Sequence, residues 1–343
     1  MARFLEIKGL SACVNKNGRT LKILDNISFS IDEGEILGLA GESGCGKSMT
    51  ALSIAGLLPN DVKITEGHIY LESRELTNIG ENGMRDIRGK EIAVIFQDSR
   101  QALNPLMKAG RQITEVLELT RSKERKTENT ERNKERRLDK KKQRENDKLS
   151  ALELLSALGF NEPEQIFNAY PHQLSGGMCQ RIMTAIAVIN NPKLLLGDEP
   201  SSSLDEESQE KCLAIMKEMN NKHKTSLLII SHDLSIIKEF CSRFIIMYAG
   251  KIVEEGPASS LYSPLHPYTH ALVNAKPSRE KRGKKLENIL GKVPSVYDQL
   301  QGCPFAPRCL KAKNICREIF PPLSVIGNGK VYCYDPNDSE RSS

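Results

Sequence analysis

"GEILGLAGESGCGKSMTALSIAGLL", residues 34–58, reads as a short apolar strand, a glycine turn and a helix. Within it Gly41, Gly46, Lys47 and Ser48 satisfy G-x-x-x-x-G-K-[ST], the spacing of a phosphate-binding P-loop. Glycines let backbone N–H groups face phosphates at close range, and the following helix N-terminus favours negative charge. Gly41, Ser43, Gly44, Cys45, Gly46, Lys47, Ser48 and Met49 are therefore the candidate nucleotide contacts. Lys47 is expected to reach the outer phosphates, and the Ser48 hydroxyl to sit on Mg²⁺. The strand before the motif and the helix after it predict an α/β core built around this loop.

A P-loop needs a second oxygen donor for its metal. "KLLLGDEP", 193–200, supplies an apolar strand ending in Asp198, with Glu199 beside it. Asp198 is placed to hold Mg²⁺ through its water shell, and Glu199 to polarise an attacking water as general base. Between these two motifs lies "LSGGMCQR", 174–181, opening a helix. A serine and two glycines at a helix start make another anion site, because only glycine permits such close approach. Two phosphate-binding surfaces on one chain are what a head-to-tail dimer with ATP between subunits requires.

With these motifs in order, the sequence resembles an ATP-binding cassette (ABC) transporter ATPase. "LSGGMCQR" resembles the family signature, Gln97 in "VIFQD" the Q-loop, "SSLD" at 202–205 the D-loop, and His232 in "LLIISHD" the switch histidine. The resemblance covers residues 1 to about 260. It implies a P-loop NTPase fold with an ABC-type RecA-like core, an N-terminal antiparallel β subdomain, and a helical subdomain at about 98–190. It implies that Gln97 touches Mg²⁺ and the attacking water, and that His232 holds the γ-phosphate and Glu199. Ser175, Gly176 and Gly177 are then the contacts to the γ-phosphate of the opposite subunit, with Asp205 joining the two sites. One departure is Val14, which stands where the family usually stacks adenine on an aromatic ring.

Within the family, "GESGCGKSMTALSIAGLLP", "RGKEIAVIFQDSRQALNP" and "LYSPLHPYTHALVNAKPS" resemble the oligopeptide, dipeptide and nickel importer group, D-type. The expected organisation is an ATP-binding domain at 1–260 and a C-terminal extension at 261–343. The implied partners are a paralogous F-type ATPase subunit, two transmembrane permeases and an extracytoplasmic binding protein. Peptides are the expected cargo class, with nickel or a metal chelate as the alternative.

The chain has 343 residues and a formal charge of +5. Residues 121–148 carry 13 basic and 7 acidic side chains, a local +6, so the remainder is −1. With one leucine and no aromatic, this stretch buries no helix face and reads as an exposed charged helix or a disordered insertion spanning about 121–150. A solvated insertion is the plain interpretation, and anionic lipid headgroups or nucleic acid are its rivals. A soluble nucleic-acid-associated ABC ATPase using this run as a grip is the rival function; an iron–sulfur sensor without permeases is another. No run approaches the roughly 20 apolar residues of a membrane span, and "MARFLEIKGL" has no secretory h-region. A cytoplasmic protein held peripherally at the membrane by its permeases is expected.

Nine cysteines in a chain this size argue against a disulfide framework in a reducing compartment. Cys13, Cys45, Cys179, Cys212 and Cys241 sit singly in apolar or helical stretches and are expected to be packing or loop residues. Cys303, Cys309, Cys316 and Cys333 form a tail cluster with spacings C-x5-C, C-x6-C and C-x16-C, without the paired C-x-x-C knuckles of common zinc ribbons. Spacing alone leaves a [4Fe-4S] cluster, Zn²⁺ and unliganded thiols open. The resemblance of "CPFAPRC" and its partners to the extension of the importer group implies an iron–sulfur cluster acting as a structural clip.

Overall fold

A computed structural model of the chain describes residues 3–16, 18–126, 135–275, 289–298 and 300–337, with side chains omitted at 122–126 and 135–139. The described strands are β1 (Arg3–Lys16), β2 (Arg19–Asp32), β3 (Ile36–Ala40), β4 (Val62–Leu71), β5 (Arg74–Glu75), β6 (Ile92–Ile95), β7 (Leu194–Asp198), β8 (Ser226–Ile230), β9 (Arg243–Tyr248), β10 (Lys251–Pro257), β11 (Leu323–Ile326) and β12 (Gly329–Tyr332). Two compact units emerge, one made of Met1–Asp32, Ile36–Asn78 and Leu228–Ser343, the other of Glu33–Glu35 and Ile79–Leu227.

The first unit holds an antiparallel sheet in the order β2-β1-β4-β5. Its long strands β1 and β2 pair through several register shifts, with Leu10–Cys13 of β1 all buried, and Leu5 sits opposite both Ile31 and Leu71. A second, mixed sheet in this unit runs β11-β12-β10-β9-β3-β8. Here β3 pairs parallel with β9, and all five of its residues, ILGLA, are buried. A continuous apolar run of this kind suits a parallel strand covered on both faces. The helix Lys47–Ala55 follows β3 and ends at Gly56 in the left-handed region, with the Gly56 and Leu57 N–H groups returning to the last turn.

In the second unit β6 pairs parallel with β7, Ile92 opposite Leu194 and Val94 opposite Leu196. Its helices include Ala109–Lys126, Glu135–Ala157, Gly176–Val188 and Glu206–His223. The charged insertion thus enters as one helix and leaves as another, and its residues 127–134 lie outside the described residues. The two helices are tied where Arg121 forks onto the buried carboxylate of Asp147, with Nη1 2.9 Å from Oδ1.

Candidate nucleotide site

The sequence folds the phosphate loop by leaving no alternative at Gly41. Its φ is +150°, and a Cβ there would lie 2.2 Å from the Met247 carbonyl oxygen. Gly44, at φ +80°, has the opposite surroundings: nothing in the protein comes within 4 Å of a Cβ position, so its backbone is open to an incoming ligand. Gly46 caps the helix Lys47–Ala55 in the left-handed region. The Gly250 N–H donates to the Cys45 carbonyl at 3.0 Å, fastening the loop to the turn after β9. Lys47 Nζ donates to the carbonyls of Gly41 and Glu42 at 2.9 and 3.0 Å, so its ammonium lies inside the loop's own curl. Ser43 and Gly44 are exposed, and Ser48 and Met49 are half-buried. The Cys45 side chain is buried and burial pushes its thiol up, while its N–H donates to the Glu42 carbonyl at 3.3 Å, closing the turn of the loop.

Val14 lies in β1 between Leu21 of β2 and Val62 of β4, an aliphatic setting in place of the expected ring. His232 is exposed just past β8, before the short helix Leu234–Phe240 that Asp233 caps by accepting from the Ser235 N–H.

In the second unit Asp198 ends β7, half-buried, and Glu199 follows with φ +51°. A glutamate in the left-handed region is strained, and such strain is commonest where a side chain must be aimed. It is held by Ser202, whose N–H and hydroxyl both donate to the Glu199 carbonyl at 3.2 Å. Gln97 Nε2 reaches the Glu199 carboxylate at 3.4 Å, bringing two of the sequence-predicted residues together.

Ser175 caps the helix Gly176–Val188, its Oγ accepting from the Met178 N–H at 3.2 Å. A Cβ at Gly176 would find only Arg100 Nε at 4.0 Å, whereas at Gly177 it would press on the Ser203 carbonyl at 3.2 Å. Gln180 Nε2 donates to the Pro200 carbonyl, joining the signature helix to the segment after Glu199. Asp205 caps Glu206–His223 by accepting from the Ser208 N–H and hydroxyl, both at 3.0 Å, and these bonds hold its carboxyl below the usual range.

The four tail cysteines line one small cavity with His266 and Phe305. Cys316 Sγ accepts from the Lys313 N–H at 3.4 Å and Cys333 Sγ from the Asp335 N–H at 3.3 Å. The backbone N–H groups of Phe305 and Lys311 act to lower the Cys303 and Cys309 thiols, against the larger effect of burial. Burial pushes the Cys303 thiol up to about 12 and raises Cys309 and Cys333, with the neighbouring thiols adding to the effect. Among the described residues, no group of three or more His, Cys, Asp or Glu side chains is arranged to hold a metal ion. The other five cysteines are buried, as expected of packing residues.

Sequence reasoning missed Glu42, the second residue of the loop. Its N–H donates to Tyr268 Oη at 2.8 Å and its carboxylate meets Arg308, partners 226 and 266 positions away. The only signal was the HPYT segment, whose His266 is itself buried, with Nδ1 accepting from the Tyr268 N–H.

The family described as ABC transporter matches residues 24–202, and the one described as oligopeptide/dipeptide transporter, C-terminal region, matches 253–316. The oligopeptide transport ATP-binding protein AppD of Bacillus subtilis is 40% identical over the full length of both chains. The dipeptide transport ATP-binding protein DppD of Haemophilus influenzae is 38% identical, covering 97% of this chain and 95% of its own. A dimeric ATP-binding cassette solved in a post-hydrolysis state with ADP and Pi superposes with a TM-score of 0.63 at 26% identity, covering 74% of this chain and 98% of that one.

Proposed function

The chain belongs to the ABC transporter family, as an ATP-hydrolysing subunit of a peptide importer of the oligopeptide and dipeptide group, and we propose that it works in a head-to-tail pair with a paralogous F-type subunit. Permease subunits and a substrate-binding protein complete such an importer. The observation that carries the assignment is the order of the two family matches along one chain, cassette first and peptide-type extension second. Among the described residues no helix is long and apolar enough to cross a membrane; attachment to the cytoplasmic face through the permeases is proposed from the relatives' role as ATP-binding transport proteins.

ATP binds with its phosphates on the backbone of 41–48, where the open cradle at Gly44 supports close approach. Ser48, Gln97 and Asp198 would hold Mg²⁺; hydroxyl, amide and carboxylate oxygens are the hard donors that ion prefers. Bound Mg²⁺ would neutralise charge on the β- and γ-phosphates. Glu199 accepts a proton from the attacking water, and its strained backbone and the Gln97 contact support that role. His232 steadies the γ-phosphate, while Ser175, Gly176 and Gly177 present N–H groups to the nucleotide of the partner subunit and Asp205 lies at the junction. Val14 and its aliphatic neighbours support a base contact without ring stacking.

A [4Fe-4S] cluster on the tail cysteines is our reading of their common lining of one cavity and of the N–H groups donating to Cys316 and Cys333, although among the described residues these thiols are not arranged to hold a metal ion. Such a cluster would cross-link a loop-rich segment. Anaerobic purification followed by iron, sulfide and zinc analysis separates it from a zinc clip.

The importer assignment is tested by reconstituting the chain with its permeases and F-type partner in vesicles. ATP hydrolysis should rise when binding protein and peptide are both present. Hydrolysis indifferent to both would overturn it.

A further inference from the structure

The side chain of Arg308 is 4% exposed, and all five of its N–H bonds are spent. Nη1 donates to Glu42 Oε2 at 2.7 Å and to Tyr248 Oη at 3.0 Å. Nη2 donates to Glu42 Oε1 at 3.2 Å and to the Ile289 carbonyl at 3.3 Å, and Nε to the Leu290 carbonyl at 2.9 Å. Two parallel bonds to one carboxylate fix its plane as well as its position, which a lysine cannot do.

Glu42 is where that fixing matters. Its N–H is bound by Tyr268, its carbonyl accepts from Lys47 Nζ and from the Cys45 N–H, and its carboxylate is bound by Arg308. Glu42 therefore helps set the entry of the phosphate loop and, together with the Gly41 carbonyl, the resting place of its lysine. Tyr248 and Tyr268 pack edge-on with centroids 4.5 Å apart, and Phe305 packs against both, so the anchor is walled by rings. There is also a matter of charge. A carboxylate at the second position of an anion-binding loop repels phosphate unless it is neutralised, and the only ion pair described for Glu42 is with Arg308.

The geometry points to Arg308 as a positioning residue for the phosphate loop, holding Glu42 and masking its charge, so that the nucleotide site is built jointly by the cassette and the C-terminal extension. Arg308 directly precedes Cys309, so the fold of the cysteine segment and the shape of the phosphate loop are mechanically one unit. The inference rests on 41–48 being the ATP site proposed above.

The test measures equilibrium MgATP binding and amide hydrogen exchange of peptides covering 42–47 in the full chain. Arg308→Ala should weaken binding by about 10- to 100-fold and speed exchange in the loop. Adding Glu42→Ala to that variant should recover part of the affinity, because the unmasked carboxylate is gone, while exchange stays fast. Arg308→Lys, which keeps the charge and loses the fork, should fall between; with Glu42→Gln it carries the test if Arg308→Ala does not fold. Binding and loop exchange within about twofold of wild type in Arg308→Lys and Glu42→Gln alike would overturn the inference. Wild-type protein that binds no ATP would instead sink the nucleotide assignment, while the exchange data would still report on the Arg308–Glu42 pair.

Discussion

Gln97 donates its side-chain amide to Glu199 across 3.4 Å, between the second residue after β6 and the first residue after β7, strands that lie side by side. The amide holds the carboxylate from one side while the left-handed backbone at Glu199 aims it from the other. Glu199→Gln keeps the shape and removes the base. ATP turnover should fall by about 10²- to 10⁴-fold with MgATP binding retained, read by single-turnover hydrolysis against nucleotide binding. Normal turnover in that variant would remove Glu199 from the mechanism.

The two loop glycines separate folding from binding. Gly41→Ala drives a Cβ into the Met247 carbonyl and should cost about 3 kcal/mol, seen as a lowered denaturant midpoint. Gly44→Ala meets no protein atom and should cost only about 1 kcal/mol, for the positive φ, yet lose most of its nucleotide affinity. Equal stability losses in both variants would contradict this division.

Cysteine labelling should separate the two groups of thiols. Burial pushes Cys212 up to about 11, leaving about one thiolate in a thousand at pH 8. After chelation under oxidising conditions, alkylation at pH 8 should modify the partly exposed Cys309, Cys316 and Cys333 ahead of Cys13, Cys45, Cys179, Cys212 and Cys241. Protein purified without oxygen should protect the tail set, as mass spectrometry of the labelled peptides would report. Identical labelling before and after chelation would mean that the tail thiols share no ligand.

Asp147 is buried beneath Arg121, and Gln143 adds a bond to the same carboxylate at 3.2 Å. Asp147→Ala should destabilise the helix pair by about 1–3 kcal/mol, because Arg121 loses its counter-charge in a half-buried position. Chemical denaturation checks the magnitude. An unchanged midpoint would mean that the pair adds nothing.

The nucleotide motifs were legible in the sequence because each is a local grammar: a buried strand, a turn that only glycine can make, and a helix start. "ILGLA" before the loop and "LLLGD" before Glu199 are such strands, and "LSGGMCQR" opens a helix as its glycines and serine suggest, with the serine acting as the cap. Arg308 and Glu42 were not legible. Their pairing depends on a tertiary approach across 266 positions, and neither has a periodicity or spacing that announces it. The left-handed conformation of Glu199 was hidden for a related reason, since residue type disfavours it and only the surrounding fold imposes it. The charged insertion reads as helix or disorder because its composition buries nothing; its flanks are helical, and among the described residues of the insertion Asp147 is the one charge drawn inside.

The hairpin of β11 and β12 adds itself to β10, with Val331 opposite Glu254 and Lys330 opposite Glu255. That placement makes the hairpin a guard on an otherwise open ladder of backbone donors and acceptors. Its own outer strand exposes Leu323 and Val325 but is only four residues long, and that shortness makes it a poor template for further pairing. A shortened protein ending before residue 323 would retain every nucleotide motif and yet bare β10, and its failing would be self-association into aggregates.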